Sequence, residues 1–238
     1  MTGLLLLSLM LAAPPSPAPP PKPQVGEGLR KERERLASYQ WRMKTEMTVD
    51  GNLRVVKLED VHLDPDGSLI KKTVRYEHKP APTLPDNDPR VRAGTFVPPT
   101  GEEDESLFDQ AQQVMQSYTR ITPERLDAWA AGAEPLAEAP DRKGQLRLHG
   151  RGLLLEEDDA VLYLDAKTKA PKEMEIKTAV ANRKGLDVGF LRVTLEELPP
   201  ARPGLSSLIV PKKIFLNMNR GKRTVKLEME TSEYRTWP

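Results

Sequence analysis

Strict alternation of apolar and polar side chains is the feature that most limits what this chain can fold into. From Tyr39 to Val49, aromatic, methionine, threonine and valine residues alternate with polar or charged ones. Successive side chains of a β-strand point to opposite faces, so this segment predicts a strand with one apolar and one solvated face. The same pattern returns near the end of the chain, where Val225, Leu227 and Met229 alternate with charged residues.

Tight turns arrange these strands into antiparallel meanders. Asp50-Gly51-Asn52 and Asp64-Pro65-Asp66-Gly67 have the composition of hairpin turns. A phase shift near Val55-Val56 predicts a bulge or a twist in the second strand. Parallel folds are disfavoured because the strands alternate and lack helical crossovers. The predicted strands are 39–49, 53–63, a third carrying Ile70, Val74 and Tyr76, then 146–155, 160–165, 172–181, 186–198, 208–218 and 224–234.

Two helices are predicted midway along the chain, at about 102–119 and 122–132. The first has apolar residues at spacings of three and four, and acidic residues in its first turn. The second has Thr122 as its N-cap and Pro123 at its first position. Each helix has a single apolar stripe and must pack against something. The predicted fold class is therefore α+β, a single curved antiparallel β-sheet (half-barrel) with a central helix pair packed on its concave apolar face.

The width of this sheet makes a groove plausible. Nine strands at ~4.8 Å each span roughly 40 Å, and two helices packed at about 8–10 Å cover around half of that width. Either the sheet curls around the helices, or an apolar guest has room. The candidate ligand-binding residues on the apolar faces are Trp41, Met43, Met47, Met115, Trp129, Met174, Ile176, Met218 and Met229. Ordinary core packing is the alternative, because methionine commonly fills gaps in cores.

The first 25 residues predict export. An apolar run from Leu4 to Ala13 is too short to span a bilayer, which takes roughly 20 residues. It fits the central region of a signal peptide, although no lysine or arginine precedes it, and a proline-rich tether follows. We therefore expect a signal peptide and tether over 1–25, a single domain over 26–238, no transmembrane span, and a location in the periplasm or outside the cell.

Composition and spacing argue against several functional classes. The chain has no cysteine and a net charge of +1 with few aromatic residues, which disfavours thiolate chemistry and nucleic-acid binding. The histidines, His62, His78 and His149, fall on different predicted strands, so no metal site is expected. No nucleophile elbow or phosphate-binding glycine loop is present. We expect no catalytic residue and no cofactor, and we expect the acidic run 156–159 to form a solvated hairpin tip.

Four segments in order carry a resemblance to known proteins: YQWRMKTEMTVDGN, LDPDGSLIKKTV, ITPERLDAWAAG and LDAKTKAPKEMEIKT. Over about 39–237 the chain resembles a family of exported bacterial proteins with no assigned activity. Its meander, helix pair and long antiparallel return are similar to the LolA/LppX-type periplasmic carrier fold. The resemblance implies a non-enzymatic carrier whose partner is a lipid or lipoprotein. We also expect a monomer that does not bind nucleic acid. The alternative is a structural or interaction module with a fully packed core and no small-molecule ligand.

Overall fold

The computed structural model describes residues 34–64, 68–80, 88–93, 101–119, 121–178, 186–200, 207–221 and 223–236. The predicted signal peptide and tether, 1–25, lie outside these ranges. The strands are β1 (Tyr39–Val49), β2 (Asn52–Leu63), β3 (Leu69–His78), β4 (Glu134–Leu136), β5 (Gln145–Arg151), β6 (Asp159–Asp165), β7 (Pro171–Thr178), β8 (Leu186–Leu198), β9 (Leu208–Arg220) and β10 (Arg223–Thr236). The helices are α1 (Pro89–Arg92), α2 (Gly101–Thr119) and α3 (Pro123–Gly132).

All ten strands belong to one antiparallel sheet in the order β3-β2-β1-β10-β9-β8-β7-β6-β5-β4. Two meanders make up this order, one of three strands and one of seven. They are joined by the pairing of β1 with β10, in which Val49 lies opposite Val225 and Tyr39 lies opposite Thr236. The sheet stays open, with β3 and β4 at its edges. The predicted α+β class, with one antiparallel sheet and a helix pair, is confirmed.

One face of the sheet, here called the inner face, holds the core. Buried and less buried residues alternate along β1, β9 and β10, as the sequence pattern predicts. A single cluster of buried side chains joins this face to the apolar stripes of α2 and α3. From α2 it includes Leu107, Phe108, Ala111 and Met115, all exposed by 3% or less.

Helix α2 lies across one end of the sheet. Its first turn contacts the start of β2 through Asp104 and Arg54, and its last turn contacts the end of β7 through Tyr118 and Thr178. Five interstrand steps separate β2 from β7, which is about 24 Å. The helix is about 28 Å long at ~1.5 Å per residue, so its length matches the strands that it crosses.

Helix α3 continues this cover over β5. Thr122 caps the helix, since its Oγ1 accepts a hydrogen bond from the Arg125 amide at 3.3 Å. The buried indole of Trp129 lies against Gly150 of β5, where an added Cβ would stand 2.8 Å from the indole Nε1. Only glycine at this position lets the helix approach so closely.

The bulge predicted near Val55 is present in β2. Met47 of β1 lies opposite Val55, but the next residue, Thr48, lies opposite Leu53. Arg54 is therefore the extra residue of the bulge. Because a bulge resets the alternation, Arg54 and Val55 are both buried.

Three local predictions differ from the structure. The third strand exists, but Ile70, Val74 and Tyr76 are exposed by 42–50%, because β3 is an edge strand with a second register shift opposite Leu58 and Glu59. The fourth predicted strand ends early, at Arg151, because the chain turns at Gly152 with a φ of 70°. The short edge strand β4 was not predicted, since three residues carry no periodic signal.

Replacing Gly150 with alanine should destabilise the protein by about 1–3 kcal/mol, the usual cost of overpacking a closely packed contact. Unfolding by urea, followed by circular dichroism, would measure the change. Gly132→Ala is the matched control, because an added Cβ at Gly132 meets nothing within 4 Å. Equal stabilities of the two variants would contradict the close packing of Trp129 on β5.

Candidate functional site

The structure brings all nine predicted ligand-binding residues into one cluster between the sheet and the helices. Eight are buried, with exposures of 0–7%: Trp41, Met43, Met47, Met115, Trp129, Ile176, Met218 and Met229. The ninth, Met174, is half-buried and packs against the same cluster. Their burial shows a shared apolar environment, while their role as ligand contacts stays a prediction.

One row of directly opposed residues crosses nine strands on the inner face, and we call it the inner row. Residues opposite each other on neighbouring strands share a face of the sheet. From β3 to β5 the inner row reads Tyr76, Lys57, Thr45, Met229, Ile214, Val193, Met174, Leu162 and Leu148. Its first three members are polar and the other six are apolar, so the row has a polar end and an apolar part.

The apolar part of the inner row runs from β10 to β5. These five interstrand steps span about 24 Å. Met229 and Ile214 are buried, with 7% and 4% exposure, whereas Val193 and Met174 are only partly buried. The row thus offers a continuous apolar strip that is less completely covered over β8 and β7.

The polar end of the inner row contains a buried ion pair. Lys57 Nζ lies 2.8 Å from Oε1 of Glu59, and the carboxylate is almost fully buried at 1% exposure. Thr45, directly opposite Lys57, has 0% exposure. Thr45 Oγ1 and Glu59 Oε2 have no hydrogen-bond partner within the part of the chain that the structure describes.

A second buried ion pair fastens the start of α2 to the sheet. The Arg54 guanidinium donates to Oδ2 of Asp104 from Nε at 2.8 Å and also from Nη2. His78 Nε2 lies 3.0 Å from the same oxygen. Arg54 and Asp104 are exposed by 1% and 0%. The bulge in β2 therefore has a function in the fold, because it turns a charged residue inward to meet the helix.

The end of α2 is held by a neutral hydroxyl and a buried carboxylate. Tyr118 donates its hydroxyl hydrogen to Oδ1 of Asp158 at 2.7 Å, and its oxygen lies 2.5 Å from Oγ1 of Thr178. Oδ2 of Asp158 accepts hydrogen bonds from the amides of Leu154 and Leu155 at 2.8 and 2.9 Å. The expectation of a solvated acidic tip at 156–159 was wrong for Asp158, which is fully buried.

Trp41 lies beside a partly buried tyrosine, at the end of β1 away from α2. Its ring stacks on Tyr234 of β10, with centroids 5.8 Å apart and planes inclined by 24°. The Tyr234 hydroxyl donates to the Pro211 carbonyl at 3.0 Å. Burial raises the pKa of Tyr234 well above its ordinary value. The Trp41–Tyr234 pair therefore joins β1, β10 and β9 at this end of the core.

The titratable groups of the described residues do not assemble into a metal-binding set. No group of three or more His, Asp or Glu side chains able to hold a metal ion occurs in the described ranges. His149 pairs with Asp159 at 2.6 Å, far along the sheet from the His78–Asp104 contact. Among the helices that the structure describes, none combines the length and apolarity needed to cross a bilayer.

Sequence reasoning missed the charged residues of the inner face. Lys57 and Glu59 lie at alternate positions with Val55 and Val61, so their phase after the bulge placed them inward. Thr45 stood within the apolar alternation of β1. The alternation of β2 after the bulge could therefore have predicted the inward position of these residues. The contact of Arg54 with Asp104 depends on how α2 docks on the sheet, and no sequence pattern indicates it.

Comparison with known proteins gives several weak structural likenesses. The chain is similar to a LolA superfamily protein from Nitrosomonas europaea, with 9% identity, a TM-score of 0.41, and coverage of 90% of this chain and 94% of that one. It is also similar to a DUF1329 family protein from Desulfovibrio piger, with 10% identity, a TM-score of 0.36, and coverage of 89% and 93%. No family model and no curated protein matches the chain. Such low identities and TM-scores carry no information about ligand or partner.

Removing one member of the Arg54–Asp104 pair should strongly lower the free energy of unfolding. Asp104→Ala would leave a buried guanidinium without its counter-charge, and we expect a loss of about 3–5 kcal/mol in unfolding free energy. The double variant Arg54→Met with Asp104→Leu should recover much of this loss. Glu196→Gln, in an exposed pair with Lys212, is the control and should change stability by less than about 1 kcal/mol. Unfolding in guanidinium chloride measures all three, and similar losses for the single and double variants would refute the pairing.

Stability should fall with rising pH above about 10, the ordinary tyrosine pKa. Burial raises the pKa of Tyr118 and of Tyr234 in the folded state. Above pH ~10 the folded protein therefore holds protons that the unfolded chain releases, so the unfolding free energy decreases as pH increases. Urea unfolding at a series of alkaline pH values should show a shallower decrease in Tyr118→Phe and Tyr234→Phe than in the wild type. Equal slopes would contradict the burial of these hydroxyls.

Proposed function

We propose that the protein is an exported, carrier-type binding protein that shelters an acyl chain, as a lipid or the acyl part of a lipoprotein, on its inner face. The observation that carries this proposal is the methionine content of the core. Six of the eight methionines in the chain belong to the cluster between the sheet and the helices. Methionine is flexible and polarizable, so such a surface can repack around apolar guests of different shapes.

The apolar part of the inner row is the proposed place for the chain. It offers six successive apolar side chains on neighbouring strands, and two of them, Val193 and Met174, are only partly buried. Helix α2 crosses the neighbouring end of the sheet, where its two ends are held by polar contacts. Displacement of α2 and α3 would enlarge the space over the row without disturbing the pairing of the strands.

Export is part of the same proposal. The signal-like residues 1–25 support a location in the periplasm or outside the cell. In water, an acyl chain needs a protein surface to cover it, because each exposed methylene group costs about 0.8 kcal/mol. A carrier with one covered apolar face meets that need without any catalytic group.

A structural or interaction module is the second candidate. It is favoured by the exposures of only 0–7% for eight of the nine candidate residues, which indicate a closely covered core. That function predicts no small-molecule ligand. Native mass spectrometry of protein purified from its own host separates the two candidates, because a carrier should retain lipid and a packed module should not.

A charge placed in the apolar part of the inner row should weaken the binding of an apolar probe. We expect delipidated protein to bind N-phenylnaphthylamine saturably, with an increase in fluorescence. Met174→Glu should weaken binding at least about tenfold, since the new carboxylate would have to be desolvated next to the probe. Met174→Leu, of similar volume, is the control and should bind like the wild type. A flat titration of the wild-type protein would rule out the carrier function.

A further inference from the structure

The polar end of the inner row has hydrogen-bonding capacity that the fold does not use. Thr45 Oγ1 and Glu59 Oε2 lie on side chains exposed by 0% and 1%, and neither has a hydrogen-bond partner among the described residues. Buried polar atoms are nearly always paired in native proteins. The two unpaired atoms therefore require an explanation, and we call the surface formed by Tyr76, Lys57, Thr45 and Glu59 the patch. One explanation is a ligand that supplies the missing hydrogen bonds.

One side of this patch is in contact with solvent. Tyr76, at the end of the inner row on the edge strand β3, is 42% exposed. The Lys57 side chain next to it is 22% exposed. The patch thus runs from a half-exposed tyrosine to a fully buried threonine within three neighbouring strands, and its solvent-exposed side is that of Tyr76 and Lys57.

The buried charges of the patch and of the adjoining Arg54–Asp104 pair cancel. Lys57 pairs with Glu59 at 2.8 Å, and Arg54 pairs with Asp104 at 2.8 Å. Partial burial and the nearby carboxylates of Glu105 and Asp109 raise the pKa of Tyr76, so its phenol stays neutral. Glu105 and Asp109 are exposed on α2, so the buried part of the patch holds no surplus cation for a fatty-acid carboxylate and no surplus anion for an ammonium group.

A hydroxyl group on the ligand suits the two unpartnered atoms, Thr45 Oγ1 and Glu59 Oε2. The unpartnered carboxylate oxygen of Glu59 requires a donor, whereas the Thr45 hydroxyl can donate or accept. Each hydroxyl of a ligand can likewise donate one hydrogen bond and accept others. An uncharged polyol therefore satisfies the patch without introducing a buried charge, which would be costly to desolvate.

On the basis of the carrier function proposed above, we infer that the polar end of the inner row binds the uncharged, hydroxyl-bearing head group of an amphiphile whose acyl chain lies along the apolar part. A monoacylglycerol has this chemistry. The order of side chains agrees with such a ligand, because Thr45 and Met229 lie directly opposite each other. The change from polar to apolar thus falls between two neighbouring strands.

Calorimetric titration with three ligands of the same chain length tests this inference. The ligands are monolauroylglycerol, laurate and dodecylammonium, each below its micelle concentration at neutral pH. We expect monolauroylglycerol to bind about tenfold more tightly than either ion, as the loss of one good hydrogen bond or the burial of one charge would produce. Thr45→Val, Glu59→Gln and Tyr76→Phe should each reduce this preference.

Matched controls come from the opposite face of the same strand. Thr48→Val and Glu46→Gln alter residues of β1 that alternate with the buried ones, so they should leave all three affinities unchanged. Thr45→Val also removes an unpartnered buried hydroxyl, and we expect the ligand-free variant to have an unchanged or higher melting temperature. A lower affinity together with unimpaired stability distinguishes a contact with the ligand from a structural role.

The outcomes separate this inference from the carrier function on which it rests. Equal affinities for the three ligands, or variants that bind like the wild type, would overturn the head-group inference and leave the carrier function standing. Tighter binding of laurate or dodecylammonium would overturn it as well. Failure of all three ligands to bind would overturn both proposals.

Discussion

A sheet of ten strands with one apolar face must be covered, and this constraint explains most of the structure. The hydrophobic effect makes a bare face of this size unstable in water. Helices α2 and α3 provide cover, and the core consists of the side chains trapped between the layers. The lengths agree, because a helix of about 28 Å crosses the six strands from β2 to β7.

Polar contacts at both ends of α2 fix the position of this helix on the sheet. The Arg54–Asp104 pair lies at one end and the Tyr118–Asp158 hydrogen bond at the other. Buried ion pairs add little net stability, because desolvation offsets their attraction, but breaking one is expensive. They therefore restrict α2 to one position on a sheet whose apolar surface alone would tolerate several. The apolar contacts supply the free energy that stabilises the packed layers, and the polar contacts determine where α2 lies on the sheet.

The sequence predicted the layers well and the polar interior poorly. Alternation along β1 and β10 identified the inner face, and Thr122 with Pro123 identified the start of α3, because these signals are local. The bulge at Arg54 was also visible as a break in phase. The partners of Asp104 and Asp158 could not be predicted, since each depends on how a helix docks against distant strands. Acidic residues are usually solvated, and Asp158 departs from that rule through contacts 40 residues away in sequence.

The pairing of β1 with β10 also governs when the sheet can form. Among the strands that the structure describes, β10 is the last in sequence, and its neighbour β1 is the first. The two meanders can each begin to assemble from local hairpins, but their union requires closure of a very long loop, which is entropically slow. During synthesis, β10 follows every other strand of the sheet that the structure describes. Until it emerges, β1 can pair only with β2, so the sheet cannot be completed from the earlier strands alone.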